Sequence, residues 1–145
     1  MIIVFGSINM DLSLGVKTFP KPGETVIGGD YEMLSGGKGA NQALAAARAG
    51  SKVALVGRVG DDGMGLRILN SLRRAGVLTS GVAQSDRHPT GMAVVLHDEN
   101  GENQIVVSPG ANMEALAEQV PDEILTPKNM LLMQTETPAP ENWLL

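Results

Sequence analysis

No cysteine occurs among the 145 residues, which excludes disulfide bonds and thiolate metal sites. A basic patch is missing too. Eleven Lys and Arg against 16 Asp and Glu leave a net charge of −5, and a chain of that sign with no clustered cations is not built for nucleic acid or an anionic membrane. No apolar run approaches the roughly 20 residues of a transmembrane helix. The opening "MIIVFGSINMD" lacks the positive segment and small-residue cleavage site of a signal peptide. These absences point to the cytoplasm. Repeats, linkers and low-complexity segments are also lacking. What remains is the length and balance of one ordinary domain, with 43% hydrophobic and 19% charged residues, enough to bury a core.

Met1 to Phe5 is a β-branched and aromatic run, the pattern of a strand covered on both faces. Residues 14–34, with two prolines and four glycines around short apolar stretches, predict two short antiparallel strands joined by a turn at Lys21-Pro22-Gly23. Gly39 to Ala49 is alanine-rich and ends at Gly50, which predicts a small-faced helix packed closely on a sheet. Lys52 to Gly57 predicts a second buried strand. Asp61 and Asp62 predict a cap for a helix through Ala75, with Leu66, Leu69 and Leu72 on one stripe and Gly76 as the stop. "TGMAVVLHDENGENQIVVSPG" predicts a hairpin around Asn100-Gly101. A short helix near Met113 to Val120, a buried strand at Met130 to Gln134 and a helix start in "TPAPENWLL" complete the chain. Buried strands alternating with helices imply an α/β domain with a parallel sheet, carrying a small antiparallel layer. Trp143, Leu144 and Leu145 form an apolar edge that nothing later in the sequence covers, so the domain is expected to be truncated.

"GGKGANQA" places Lys38 among glycines ahead of the alanine-rich helix. It is not a phosphate-binding Walker loop, because Gly39 stands where Ser or Thr is needed and Glu32 where the first glycine is needed. The G-x-G-x-x-G dinucleotide spacing is absent as well. The loop offers a helix N-terminus with free N–H groups, glycines that admit a ligand close to the backbone, the ammonium of Lys38 and the carboxamide of Asn41. The plainer alternative is that the glycines only shape a turn. Asn9 and Asp11, two apart beyond the first strand, share one side in extended chain. Glu136 lies just past the last strand. In an open parallel sheet all the strand C-termini meet at one edge, where ligands bind. Carboxylates that accept hydroxyl protons, beside amides and an ammonium that donate, are the inventory of a polyol site.

Together, "GSINMD", "PKPGET", "GGKGAN" and "GRVGDDGMG" resemble the amino-terminal half of the ribokinases, within the PfkB sugar kinase family, and the likeness runs over essentially the whole chain. It implies a ribokinase-like α/β fold and an ATP-dependent kinase acting on the primary hydroxyl of a pentose such as ribose. Carried over by position, Asn9, Asp11, Gly37, Lys38, Asn41 and Glu136 would contact the sugar. Residues 14–34 and 90–108 would form a lid, which in this family also pairs into a homodimer. ATP and Mg2+ are the implied cofactors, with K+ as the candidate monovalent cation, all bound mainly outside these residues.

The family's second signature, a "GAGD"-like turn that opens a helix and carries the catalytic aspartate, is absent. No catalytic base is therefore assigned, and the 145 residues alone are expected to be inactive. Asp61 and Asp62 are read as helix caps, not as a metal pair. His88 and His97 are read as solvated side chains and the scattered methionines as core filling. Two other readings stay open: an inactive sugar-binding or dimerising half-domain, and a non-kinase α/β protein on the same scaffold.

Overall fold

The computed structural model describes all 145 residues, folded around two four-stranded sheets. The apolar run Ile2–Phe5 forms β1, which lies between β4 (Val53–Gly60) and β8 (Met130–Met133), with β5 (Leu78–Ser85) outside β4. Every pairing in this sheet is parallel. Side chains of a strand alternate between faces, and β1 is apolar throughout because both faces are covered. Val4 joins Leu55, Ile68 and Leu72 beneath α1 (Lys38–Arg48) and α2 (Gly63–Arg74). Ile3 and Phe5 point the other way, against Ala115 and Val120. Each such buried side chain contributes roughly 1.5–3 kcal/mol.

Just past β1 the chain leaves this sheet and enters a second one, ordered β3-β2-β6-β7, made of β2 (Asn9–Gly15), β3 (Tyr31–Gly36), β6 (Gly91–His97) and β7 (Asn103–Ser108). The expected antiparallel layer is instead mixed. β2–β3 and β6–β7 are antiparallel, but β2 and β6 run parallel. Two hairpins were legible locally, whereas the way they join is a long-range pairing. The first strand also starts earlier than expected, at Asn9, and residues 16–30 are irregular. The Lys21 turn is present (Glu24 N–H to Lys21 O, 2.8 Å), yet it sits inside that loop and does not connect the strands directly.

Four other expectations change. The strand expected to be buried at Met130–Gln134 is β8, an edge strand with no buried residue and with Met130 62% exposed. β5 was not anticipated, since "LTSGVAQS" is a weakly apolar edge strand with several exposed positions. The expected helix at 113–120 is a set of short 3-10 turns at Gly110–Glu114 and Ala117–Gln119, followed by another at Asp122–Ile124. In α2 the buried face is Gly65, Ile68, Leu69 and Leu72, while Leu66 is 53% exposed. Spacing of three alone drifts off a 3.6-residue period, and Ile68 holds the inward position. The chain ends in α3 (Ala139–Leu144), with Trp143 and Leu144 exposed beside the edge strand β8. No helix is long and apolar enough to cross a membrane.

Asp62 is the N-cap of α2 and accepts from Gly65 N–H at 2.8 Å. It also accepts from the backbone N–H and the hydroxyl of the buried Thr90, each at 2.8 Å, tying α2 to the start of β6. Burial alone would raise its carboxyl; the Gly65 and Thr90 hydrogen bonds outweigh that and hold it below the ordinary 3.8. Asp62→Ala is expected to cost about 1–2 kcal/mol, the scale of a lost cap, read as a lower Tm. Because the folded value lies below the unfolded one, this contribution is present above pH 3.8 and fades as pH falls through the depressed value. In the variant that part of the acid limb should disappear.

Candidate functional site

Strand alternation and register build the site. Asn9 and Asp11 share one face of β2. Asn9 pairs with Gly36 on one side and Gly91 on the other, and Asp11 with Leu34 and Ala93. Flanking glycines leave space that side chains would fill: a Cβ on Gly36 would collide with the Asp11 carboxylate, and one on Gly91 with Asn9 and Asn112. The next residue, Gly37, begins α1 with φ +90°, a left-handed conformation, and its Cα lies so close to the Ser7–Asn9 backbone that a Cβ would sit 2.6 Å from Ser7 O. This tight seat aims the first turn of α1, with Lys38 and Asn41, at the same space as Asn9 and Asp11. Glu136 arrives from the loop after β8, at the C-terminal edge of the parallel sheet.

A cavity of about 220 Å³ results, lined by Asn9, Asp11, Gly37, Lys38, Asn41 and Glu136 together with Ala93, Val95, Ile105 and Val107. All six residues singled out in the sequence thus lie around one space. The four apolar residues, from the β6–β7 hairpin, give it a greasy wall that the sequence reading did not assign to the site. A second hollow of about 500 Å³ adjoins it, sharing Asn9, Val107 and Glu136 and extending toward Thr135–Ala139.

The two carboxylates in the cavity are in unlike states. Glu136 is paired on both oxygens: Oε1 with the Lys38 ammonium in an ion pair and Oε2 with the Ser7 hydroxyl at 2.7 Å. Burial pushes its carboxyl up, but the Lys38 and Ser7 hydrogen bonds and the Lys38 charge prevail, so it is held below the usual range. Asp11 has no such help. Its Oδ1 is buried without a hydrogen-bond partner. Burial, and then the nearby negative Glu136, raise its carboxyl above 3.8. An acceptor left unmade inside a protein is costly unless a ligand completes it. Beside it Asn9 is 5% exposed and its Oδ1 accepts from Asn112 Nδ2 at 2.7 Å, while its own Nδ2 donates to no protein group. Asp11 therefore offers acceptors and Asn9 a donor, side by side on one strand.

Ser7 and Asn112 are the functional neighbours that sequence reasoning missed. Ser7 lies 129 residues from Glu136, and Asn112 lies 103 from Asn9. Neither spacing carries a local signal. Asp61 and Asp62 take no part in the cavity, and His88 and His97 are exposed, His88 facing Glu114 at 3.8 Å. No group of three or more His, Asp or Glu side chains converges to ligate a metal.

The family model described as pfkB family carbohydrate kinase matches residues 1–144. A ribokinase of Haemophilus influenzae is 41% identical over 140 residues, covering 94% of this chain and 45% of that protein. A ribokinase of Bacillus subtilis is 42% identical over 139 residues, with 94% and 47% covered. Among solved structures, ribokinase of Giardia lamblia superposes with a TM-score of 0.89 at 37% identity, over 99% of this chain and 44% of that one. Arabidopsis thaliana ribokinase complexed with ribose and ATP superposes with a TM-score of 0.80 at 37% identity, over 94% and 46%. The chain spans just under half the length of these relatives.

Proposed function

Because the chain belongs to the pfkB family of carbohydrate kinases, we propose that it is the sugar-binding part of an ATP-dependent kinase that phosphorylates the primary hydroxyl of a pentose, ribose foremost. The observation that carries the reading is the unpaired acceptor Asp11 beside the unpaired donor of Asn9, in a cavity of about 220 Å³. Asp11 accepts hydrogen bonds from sugar hydroxyls. Asn9, Lys38 and Asn41 donate to hydroxyl oxygens, and Gly37 lets the ring approach the backbone. Glu136 holds Lys38 in place and accepts from the sugar. The sheet β3-β2-β6-β7 serves as the lid, formed from the segments around 14–34 and 90–108. A cytoplasmic location goes with this function.

ATP supplies the phosphoryl group in such a reaction. The nucleotide, Mg2+ and, as the candidate monovalent cation, K+ would be held mainly by residues outside these 145, as would the base. Titrating the 145-residue chain with ribose should give saturable heat in calorimetry, with no phosphorylated sugar formed on adding ATP and Mg2+. Absence of binding to ribose and to other pentoses would remove the sugar-site reading. Turnover by this chain alone would place the base within it.

A second reading, an inactive sugar-binding or dimerising half-domain, is favoured by the edge strand β7. All its residues are exposed, with Ile105 at 53%, Val106 at 71% and Val107 at 50%, and an unpaired apolar edge invites pairing with another copy. Both readings include a homodimer through the lid. Sedimentation velocity over rising concentration should show a dimer, and a monomer throughout would remove it. The mass of the native protein separates the two: 15.2 kDa supports the half-domain, and about twice that supports the two-half kinase.

A further inference from the structure

Asn112 is 2% exposed, and its carboxamide has four hydrogen-bond partners. Its Oδ1 accepts from Ile8 N–H at 2.8 Å. The two N–H groups of its Nδ2 face three acceptors, Asn9 Oδ1 at 2.7 Å, Pro109 O at 2.9 Å and Ile8 O at 3.2 Å, so that one hydrogen is shared between two of them. The orientation of both amides follows from chemistry. A backbone N–H can only donate and backbone carbonyls can only accept, so Ile8 and Pro109 dictate which end of Asn112 is oxygen. The NH2 group so placed must meet an acceptor on Asn9, since two NH2 groups facing each other would repel. Asn9 is left with its own NH2 free of any protein acceptor. The backbone at Gly91 closes over this bond, because a Cβ there would strike both Asn112 Nδ2 and Asn9 Oδ1.

We propose that Asn112 is a positioning residue: by clamping the Asn9 carboxamide it makes Asn9 an obligate donor beside the obligate acceptor Asp11, so that β2 reads a pair of neighbouring hydroxyls in one direction. The inference rests on the sugar-site reading for its ligand, but the clamp itself does not. An unclamped Asn9 could flip and offer its carbonyl oxygen, setting acceptor beside acceptor and admitting no single hydroxyl arrangement. The clamp also links three elements, the β1–β2 crossing, β6 and the turn after β7, so the polarity of the site depends on the lid hairpin being seated.

Two measurements test it. In the ligand-free chain, side-chain amide exchange followed by NMR should be roughly 100-fold slower for Asn112 than for Asn9. Rapid exchange at Asn112 overturns the clamp whether or not any sugar binds. For its consequence, ribose affinity is measured in a double-mutant cycle. Asn112→Ala should weaken binding by about tenfold with Asn9 present, but by less than about twofold in an Asn9→Ala background. Equal losses in both backgrounds overturn a role acting through Asn9. Should Asn112→Ala not fold, Asn9→Asp decides: it keeps an acceptor for Asn112 and removes the donor, its added carboxylate beside Asp11 should lower Tm, and its folded fraction should lose about tenfold or more in affinity. Unchanged affinity in Asn9→Asp overturns the donor assignment. A chain that binds no ribose, with the exchange pattern intact, counts against the sugar reading and leaves the clamp standing.

Discussion

Asp11→Asn is expected to abolish measurable sugar binding while raising Tm. The two effects have one cause. Asp11 carries a carboxylate that burial disfavours and Glu136 repels, with a buried oxygen that no protein group satisfies. A hydroxyl ligand would complete it with hydrogen bonds to a charged group, each worth about 1.5–3 kcal/mol. Losing two of them lowers affinity by roughly 100-fold or more. The free protein gains instead, because the buried charge is gone and the shape is kept. Relief of about 1 kcal/mol would raise Tm by roughly 2–4 °C at this size. The sign can be checked against pH. The folded carboxyl titrates above its unfolded value of 3.8, so the folded state binds the proton more tightly and stability falls as pH rises through that window. The Asp11→Asn protein should lack this fall, which differential scanning calorimetry from about pH 3 to 7 would register. A variant that lost both affinity and stability would mean that Asp11 holds the fold together and is not poised for a ligand.

The second large effect concerns the seat of α1. Gly37→Ala should lower stability by about 3–5 kcal/mol, from backbone strain and overpacking together. At φ +90° a side chain is strained, and its Cβ would meet Ser7 O at 2.6 Å and Asn9 N at 2.8 Å, both backbone atoms that cannot step aside. The loss is a large part of the roughly 5–15 kcal/mol that holds a domain together. Thermal unfolding would read it as a drop of roughly 10 °C or more. Any folded fraction should also bind sugar poorly, since the same shift moves Lys38 and Asn41 away from Asp11. A Tm within a degree or so of the parent would show that the junction between β1 and β2 yields easily, and the argument for a rigid site would fail.

The site is built half on the parallel sheet and half on the second sheet. Gly37, Ser7 and Glu136 lie at the C-terminal ends of β1, whose residues pack in the core, and of β8, of which Leu131 and Leu132 lean against it. Asp11, Val95 and Ile105 belong to a sheet whose last strand is exposed along its whole length.

Much of this was legible in the residues. The run Ile2–Phe5, the alanine helix ending at Gly50, the Asp62 cap and the Asn100-Gly101 hairpin each depend on local physics: burial of apolar side chains, free N–H groups, and backbone angles that glycine adopts. The candidate residues could be named because strand alternation puts Asn9 and Asp11 on one side, and because parallel strands end at a common edge near Glu136. Long-range pairing is where that reasoning stopped. Nothing within "LTSGVAQS" marks it as a strand until β4 lies beside it, and nothing in either hairpin says that β2 and β6 run parallel. Ser7 and Asn112 were invisible for the same reason, since each meets its partner across more than a hundred residues. The sequence by itself determined the elements with a local signature and the chemical inventory, because these follow from neighbours along the chain. The tertiary structure alone decided which acid is paired, which is left unpaired, and which way Asn9 faces, because charge and hydrogen-bond direction are set by neighbours in space.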